Sequence, residues 1–348
     1  MTSSFSQNRS LIIWLFTGCL LIATMVVVGG ITRLTGSGLS IVEWDVIMGT
    51  LPPLNEVQWE EMFEKYKQTP QYIHENFDFS TEEFKTIFWW EYIHRLIGRV
   101  IGIVFLIPFL YFYFTKKISK ELLPKLLILF IMGGFQGFLG WFMVKSGLSK
   151  DPMVSHYRLA AHLTTAFLTF GYTFWVALGI IYPQKNQNDV VTLKIKKYLN
   201  VFFLLLLLQI IYGAFVAGLR AGKICNTFPL MCNSLVPDIF SSSSLMHTIF
   251  ESHMGVQFIH RTLAYLVLAF VLFIWWQAKN YNVSVHLKKA INILLTIVIL
   301  QFMLGVITIL YAVPISMGVI HQLGAFLLFA VTLFVMHRLR FNLEMKEQ

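Results

Sequence analysis

Eight apolar runs follow one another along the chain, each about as long as the 20 residues that a helix needs to cross the hydrocarbon core of a membrane. Only 13% of the 348 residues are charged, whereas an average soluble domain carries about 25%. The buried helices of a large soluble protein are a poor alternative, because too many of the runs are too long. We predict an all-α integral membrane protein with eight transmembrane helices, at approximately residues 11–31, 93–114, 124–144, 157–181, 198–219, 257–277, 289–311 and 317–337.

The basic residues indicate which side of the membrane each loop faces. Lysines and arginines concentrate in alternate loops and at both ends of the chain, namely at Arg9 and within 116–125, 185–197, 279–289 and 338–346. This is the positive-inside pattern, and it predicts that both termini are cytoplasmic. A net charge of +9 distributed in this way forms no single patch, so we expect the partner to be the lipid membrane and not a nucleic acid.

The second half of the chain repeats motifs of the first. Three motifs recur: Glu-Tyr-Ile-His-Arg at 91–95 as Gln-Phe-Ile-His-Arg at 257–261, the segment from Gln136 to Gly140 as Gln301 to Gly305, and the start of span four at His162 as His321. Each half crosses the membrane an even number of times, so the two copies share one orientation. We predict two parallel-related four-helix bundles, formed by residues 1–190 and 191–348.

The two long outer loops differ in composition. The first, residues 33–92, holds eleven of the eighteen acidic residues and a periodic set of apolar residues, which predicts short helices on the outer surface. The second, residues 220–256, contains Cys225 and Cys232. Oxidising conditions outside the membrane permit a disulfide between them, and two unlinked thiols are the alternative.

One histidine occurs in every even-numbered span: His94, His162, His260 and His321. A polar ring inside a membrane needs a partner and is a functional hypothesis by default. The predicted topology puts all four in the outer half of the bilayer, and the repeat groups them into two pairs. Imidazoles from two facing helices can ligate a haem iron from both sides. A zinc site is disfavoured because neither pair has further ligands, and hydrogen-bonded structural histidines are the remaining alternative.

Arginines accumulate near the outer boundary of the spans, where their guanidinium groups could match haem propionates. Each of them alone also fits an interfacial anchor. The candidates for propionate binding are Arg33, Arg95, Arg158, Arg220 and Arg261.

The two copies differ three residues before the first histidine of each pair, where the first half has Glu91 and the second half has Gln257. Glu91 lies on the same helix face as His94 and could act as a base, a proton relay or a stabiliser of a developing cation. The difference predicts chemistry in the first half and a permanent, electron-carrying haem in the second. A structural ion pair with Arg95, four residues on, is the alternative for Glu91.

The segments 29–40, 91–98, 217–222 and 226–229, together with the four span histidines, resemble the haem A synthase family. The resemblance covers nearly the whole chain, and the long first outer loop resembles the alphaproteobacterial and mitochondrial branch. It implies oxidation of the C8 methyl group of haem O to a formyl group, with oxygen from water, which gives the haem A of cytochrome oxidase.

The resemblance also implies roles for single residues and for partners. His94 and His162 would flank the substrate haem O, with Glu91 at the reacting centre, and His260 and His321 would hold a resident haem b. Haem O synthase is the expected partner, and a homo-oligomer is left open. Outer-loop cysteine pairs of the family have a counterpart here only in the second loop, so a role for a first-loop pair does not carry over.

The N-terminal residues lack the composition of an organelle transit peptide, which favours a bacterial inner membrane over a mitochondrial inner membrane. Two other functions compete with the synthase. A di-haem b electron-transfer protein of the ferric or quinone reductase type would place its haems near opposite faces of the membrane. A transporter would have helices broken in mid-span, which the sequence does not indicate.

Overall fold

The computed structural model describes residues 2–43, 50–148, 152–182, 190–238, 244–281 and 283–340. In these ranges the chain is helical, with no strand beyond an isolated bridge between Met231 and Ser234. The α-helices are α1 (Thr2–Leu34), α2 (Glu56–Lys67), α3 (Pro70–His74), α4 (Thr81–Phe114), α5 (Leu123–Gly147), α6 (His156–Ile181), α7 (Val190–Gly218), α8 (Leu245–Phe250), α9 (His253–Asn280), α10 (Val285–Leu310) and α11 (Ile315–Arg340).

Eight of these described helices are long and apolar enough to cross a membrane, which confirms the predicted all-α membrane fold. They are α1, α4, α5, α6, α7, α9, α10 and α11. Of the basic residues that predicted the orientation, Lys185 and Lys346 lie outside the described residues.

Helix α4 begins at Thr81, well before the predicted start of the second span at residue 93. Ser80 and Glu83 form a capping box that satisfies the first free backbone N–H groups. At 1.5 Å per residue the 34 residues of α4 extend about 51 Å, whereas the hydrocarbon core is about 30 Å thick. Residues 81–92, assigned from sequence to the first outer loop, are therefore an outer extension of the spanning helix.

The outer extension of α4 packs against α2, and with α3 they form what we call the outer cap. Trp59, Phe63 and Tyr66 recur on one face of α2 at the helical period and are buried against Phe84 and Phe88 of α4. The ring of Phe84 stacks on both Phe63 and Tyr66, with centroids 5.2 Å apart in each case. Burial raises the pKa of Tyr66 to about 12. The short helices predicted in the first outer loop are thus present and share an aromatic core.

The described residues form two compact units. One unit comprises Leu20–Thr169, and the other comprises Met1–Cys19 with Phe170–Gln348. In the second unit, α9 packs along α7 and α10, and α11 packs along α10 and α7, so these four helices close into a bundle. The predicted boundary between bundles near residue 190 stays a prediction.

The helices within Leu20–Thr169 are less closely packed. Helix α5 approaches α4 over a short stretch only. Four glycines on these two helices, Gly102, Gly133, Gly134 and Gly137, have no neighbouring atom within 4 Å of the position that a Cβ would occupy. They do not mark close helix contacts, which is the usual reason for small residues in membrane helices. They border open space instead.

The aromatic core of the outer cap can be tested at Phe84, which is fully buried. Replacement of Phe84 by Ala should cost about 3–5 kcal/mol of local stability because it leaves a cavity between Phe63 and Tyr66. Faster amide hydrogen exchange in α2 and at the start of α4, in the protein held in lipid nanodiscs, is the expected readout. The control is Phe77→Ala, whose side chain is 69% exposed, and this change should stay within about 0.5 kcal/mol. Equal exchange in the two variants would contradict the packing.

Candidate functional site

The first histidine pair consists of His94 on α4 and His162 on α6. Both residues are half-buried within their spans. Gln136 of α5 donates a hydrogen bond of 2.8 Å to the backbone carbonyl of His162. The buried Nδ1 of His162 has no hydrogen-bond partner among the described residues. Helix α5 therefore contacts both helices that carry these histidines, α6 through Gln136 and α4 by packing.

The second pair consists of His260 on α9 and His321 on α11, two helices that both pack against α7 and α10. Gln301 of α10 donates to the backbone carbonyl of His321 at 2.9 Å, the same contact that Gln136 makes in the first pair. The amide of Gln301 also contacts Nδ1 of His321 at 3.1 Å.

Gln136 and Gln301 entered the sequence argument only as markers of the repeat, and their contacts were not predicted. A polar side chain inside a membrane span needs a partner, and two glutamines at matching positions of a repeat point to one shared role. That signal was available in the sequence. In the structure both glutamines hold the helix segment that carries one histidine of each pair, His162 or His321.

Glycines lie against three of the four histidine rings. A Cβ atom on Gly29 would be 3.1 Å from Nε2 of His94, and one on Gly305 would be 3.0 Å from Cε1 of His321. Gly213 faces Cε1 of His260 in the same way, at 3.2 Å. Any side chain at these positions would push the ring aside, so the glycines keep the edges of the imidazoles clear.

The donor set at each pair fits a haem iron better than a bare metal ion. Among the described residues no three side chains of His, Cys, Asp or Glu converge on one point, as a structural zinc site would require. Two imidazoles with glycine at their edges instead suit a flat macrocycle, whose iron needs only two axial ligands from the protein. Each histidine pair could supply these two ligands.

Glu91 is 3% exposed, and both of its carboxylate oxygens are engaged. Oε2 accepts hydrogen bonds from Oγ of Ser40 at 2.7 Å and from the backbone N–H of Ile41 at 2.9 Å. Oε1 accepts from Nη2 and Nε of Arg95, at 2.7 and 3.1 Å. The ion pair with Arg95 that the sequence offered as an alternative is therefore present, and the carboxylate also holds the chain that follows α1.

Arg95 continues this attachment of the first outer segment to α4. Its Nη2 and Nη1 groups donate to the backbone carbonyls of Ile41 and Glu43, at 2.8 Å each. Together with Glu91, it fixes residues 40–43 to the helix that carries His94. We call this set of contacts the first clamp.

The second half contains an equivalent set of contacts, the second clamp. Arg261 donates to the carbonyls of Cys225 and Thr227 at 2.7 and 2.8 Å, and Gln257 donates to the carbonyl of Cys225 at 3.0 Å. Cys225 and Cys232 are joined by a disulfide, with their Cα atoms 5.7 Å apart. In both clamps the arginine donates to two backbone carbonyls, but Glu91 accepts hydrogen bonds, whereas the neutral Gln257 donates one.

The remaining propionate candidates occupy helix ends. Arg158, in the first turn of α6, donates to the carbonyl of Phe142 at 2.7 Å and lies over the Phe142 ring at 3.7 Å. Arg33 lies in the last turn of α1, and Arg220 follows α7 with a left-handed φ of 52°. Backbone carbonyls thus accept hydrogen bonds from N–H groups of Arg95, Arg158 and Arg261. A propionate would have to compete with these carbonyls for the same donors. Propionate binding by these arginines stays a prediction.

Comparison with known proteins extends the likeness over almost the whole chain. The family model COX15-CtaA, described as cytochrome oxidase assembly protein, matches residues 12–333. A relative named Heme A synthase in Flavobacterium psychrophilum is 51% identical, over 95% of this chain and 98% of its own length. Relatives of the same name in Nitrosospira multiformis and Wolbachia pipientis are 45% and 43% identical, over 97% of this chain and 95% and 94% of theirs. This chain belongs to the COX15-CtaA family of cytochrome oxidase assembly proteins.

Proposed function

We propose that this protein is a haem A synthase, which oxidises the C8 methyl group of haem O to a formyl group with oxygen from water. The observation that carries the proposal is the 51% identity, over 95% of this chain, to a protein of that name, and one histidine in each even-numbered span of both halves supports it. The product, haem A, would serve the assembly of cytochrome oxidase. The reaction removes electrons and protons from the methyl carbon, so an electron carrier must lie nearby.

The two histidine pairs would bind different haems. His94 and His162 flank the substrate haem O, and His260 and His321 hold a resident haem b, which supplies the electron-accepting chemistry when bound. The difference in packing supports this division. A substrate has to enter and leave, and α4 and α5 contact each other over a short stretch only. A permanent cofactor does not exchange, and α7, α9, α10 and α11 close tightly around the second pair.

Glu91 would act on the reaction through its charge. Its oxygens already accept four hydrogen bonds, which favours electrostatic stabilisation of a developing positive charge at the macrocycle edge over acceptance of a proton. The clamp residues Ser40 and Arg95 hold the carboxylate in place, so little reorganisation is needed during the reaction. The second clamp holds the neutral Gln257 at the matching position and would lack this effect.

The membrane context is proposed on the charge pattern and on the relatives. The basic loops support cytoplasmic termini, and the bacterial relatives support a bacterial inner membrane. Haem O synthase is the expected source of the substrate, because the reaction starts from haem O.

Pigment analysis of single histidine variants tests the division between the pairs. His94→Ala should lower bound haem O and haem A by at least about tenfold and leave haem b in place, because only the first pair loses a ligand. His260→Ala should deplete haem b. Extraction and chromatography of haems from the purified proteins gives both quantities. Haem b alone in the wild-type protein would favour a di-haem electron-transfer protein, and equal losses in both variants would refute the assignment.

Gly29 offers a smaller perturbation of the first pair. The Cβ atom of Gly29→Ala would lie 3.1 Å from Nε2 of His94, so the imidazole has to move away from its ligating position. We expect the ratio of haem O plus haem A to haem b to fall severalfold. Gly102→Ala is the matched control on α4, since nothing lies within 4 Å of its Cβ position. A ratio unchanged in Gly29→Ala would show that this ring edge does not face the substrate.

Glu91→Gln tests the electrostatic role of the carboxylate. Loss of one preorganised charge should slow haem A formation by about 100-fold while haem O still binds, which appears as a lower ratio of haem A to haem O. Glu83→Gln is the control, because this exposed residue lies on the same helix and a capping box accepts glutamine. Normal haem A formation in Glu91→Gln would remove the charge from the mechanism.

A further inference from the structure

A groove of about 400 Å³ lies between α10 and α11, with Phe174 of α6 contributing to its wall. It is separate from the histidine pairs and from the clamps. Ala290 and Ile293 line it on α10, and Ala330 and Phe334 line it on α11. These residues recur at helical spacing along two helices of opposite direction, so the groove runs parallel to the helix axes. Its walls are apolar for most of this length.

One end of the groove is basic. His286 and Lys289, in the first turns of α10, lie opposite Arg338 near the end of α11, and all three line the groove. No Asp or Glu is present among the lining residues. Arg338 is held in position by the ring of Tyr182, over which its guanidinium lies at 3.8 Å. From Ala330 to Arg338 the helical rise gives the groove a length of about 12 Å.

We propose that this groove binds a phospholipid with an anionic headgroup. The phosphate would lie at His286, Lys289 and Arg338, and an acyl chain would lie along the apolar wall between α10 and α11. Arginine can contact a phosphate through two parallel N–H groups, and lysine adds a point charge. The basic end belongs to the side that the charge pattern predicts to be cytoplasmic, where anionic lipids attract basic residues.

The combination of an apolar channel with a cationic end distinguishes this lipid from simpler ligands. Free phosphate would satisfy the basic end alone and leave the apolar length without a ligand. A zwitterionic phospholipid would fill the apolar length, but its headgroup carries a cation that meets three basic residues. An anionic phospholipid matches both ends of the groove.

Native mass spectrometry of the full-length protein, loaded with equal amounts of phosphatidylglycerol and phosphatidylcholine of identical acyl chains, tests the proposal. The wild-type protein should retain phosphatidylglycerol in preference. Lys289→Gln and Arg338→Gln should each reduce that preference about fivefold, as expected for one cation near an anionic lipid. Lys288→Gln is the control, because this lysine is adjacent on α10 but does not line the groove. Equal retention of both lipids by the wild type, or equal effects of Lys288→Gln and Lys289→Gln, would overturn the proposal.

Two further measurements separate a lipid from a free anion. Inorganic phosphate at millimolar concentration should not displace phosphatidylglycerol, and displacement would reduce the groove to an anion site. Ala290→Leu extends a side chain into the apolar length and should lower retention of the lipid without altering the three basic residues. Retention unchanged in this variant would exclude an acyl chain from the groove. Haem content equal to that of the wild type verifies that each variant is folded.

Discussion

An imidazole ring within a membrane helix is costly unless something binds its nitrogens, and this constraint organises the spanning part of the protein. One histidine of each pair, His162 or His321, has its backbone carbonyl fixed by a glutamine of the neighbouring helix. Backbone hydrogen bonds alone do not satisfy the rings. The buried Nδ1 of His162 remains without a partner in the described part of the chain, as expected where a ligand completes the arrangement.

The two halves share a set of contacts but differ at a few positions. In each half the arginine that follows the first histidine, Arg95 or Arg261, donates to two backbone carbonyls. These contacts attach the preceding segment of the chain to the helix that carries the histidine. The first clamp adds the charge of Glu91, and the second has the neutral Gln257. Packing differs as well, since α4 and α5 contact each other over a short stretch only, whereas α7, α9, α10 and α11 form a closed bundle. An exchangeable reacting group and a permanent carrier would need such a contrast.

Much of this arrangement could be predicted from the sequence, since hydropathy locates spans and a repeat pairs equivalent residues. The eight spans were predicted on that basis and are confirmed. The outer extension of α4 was not predicted, because hydropathy detects the embedded part of a helix and not its continuation into water. The contacts of the two clamps to backbone carbonyls were not predicted, for another reason. Guanidinium contacts to the carbonyls of Ile41 and Cys225 depend on how the outer segments fold back, and no local pattern encodes this.

The structure and the family together imply that the two histidines of each pair ligate the iron of one haem. A cryo-electron microscopy map of the haem-loaded protein in lipid nanodiscs tests this most directly. The account predicts a flat density between His94 and His162 and another between His260 and His321, each with an iron ligated by both rings. Iron ligated by only one histidine of a pair, or a macrocycle located elsewhere in the fold, would contradict it.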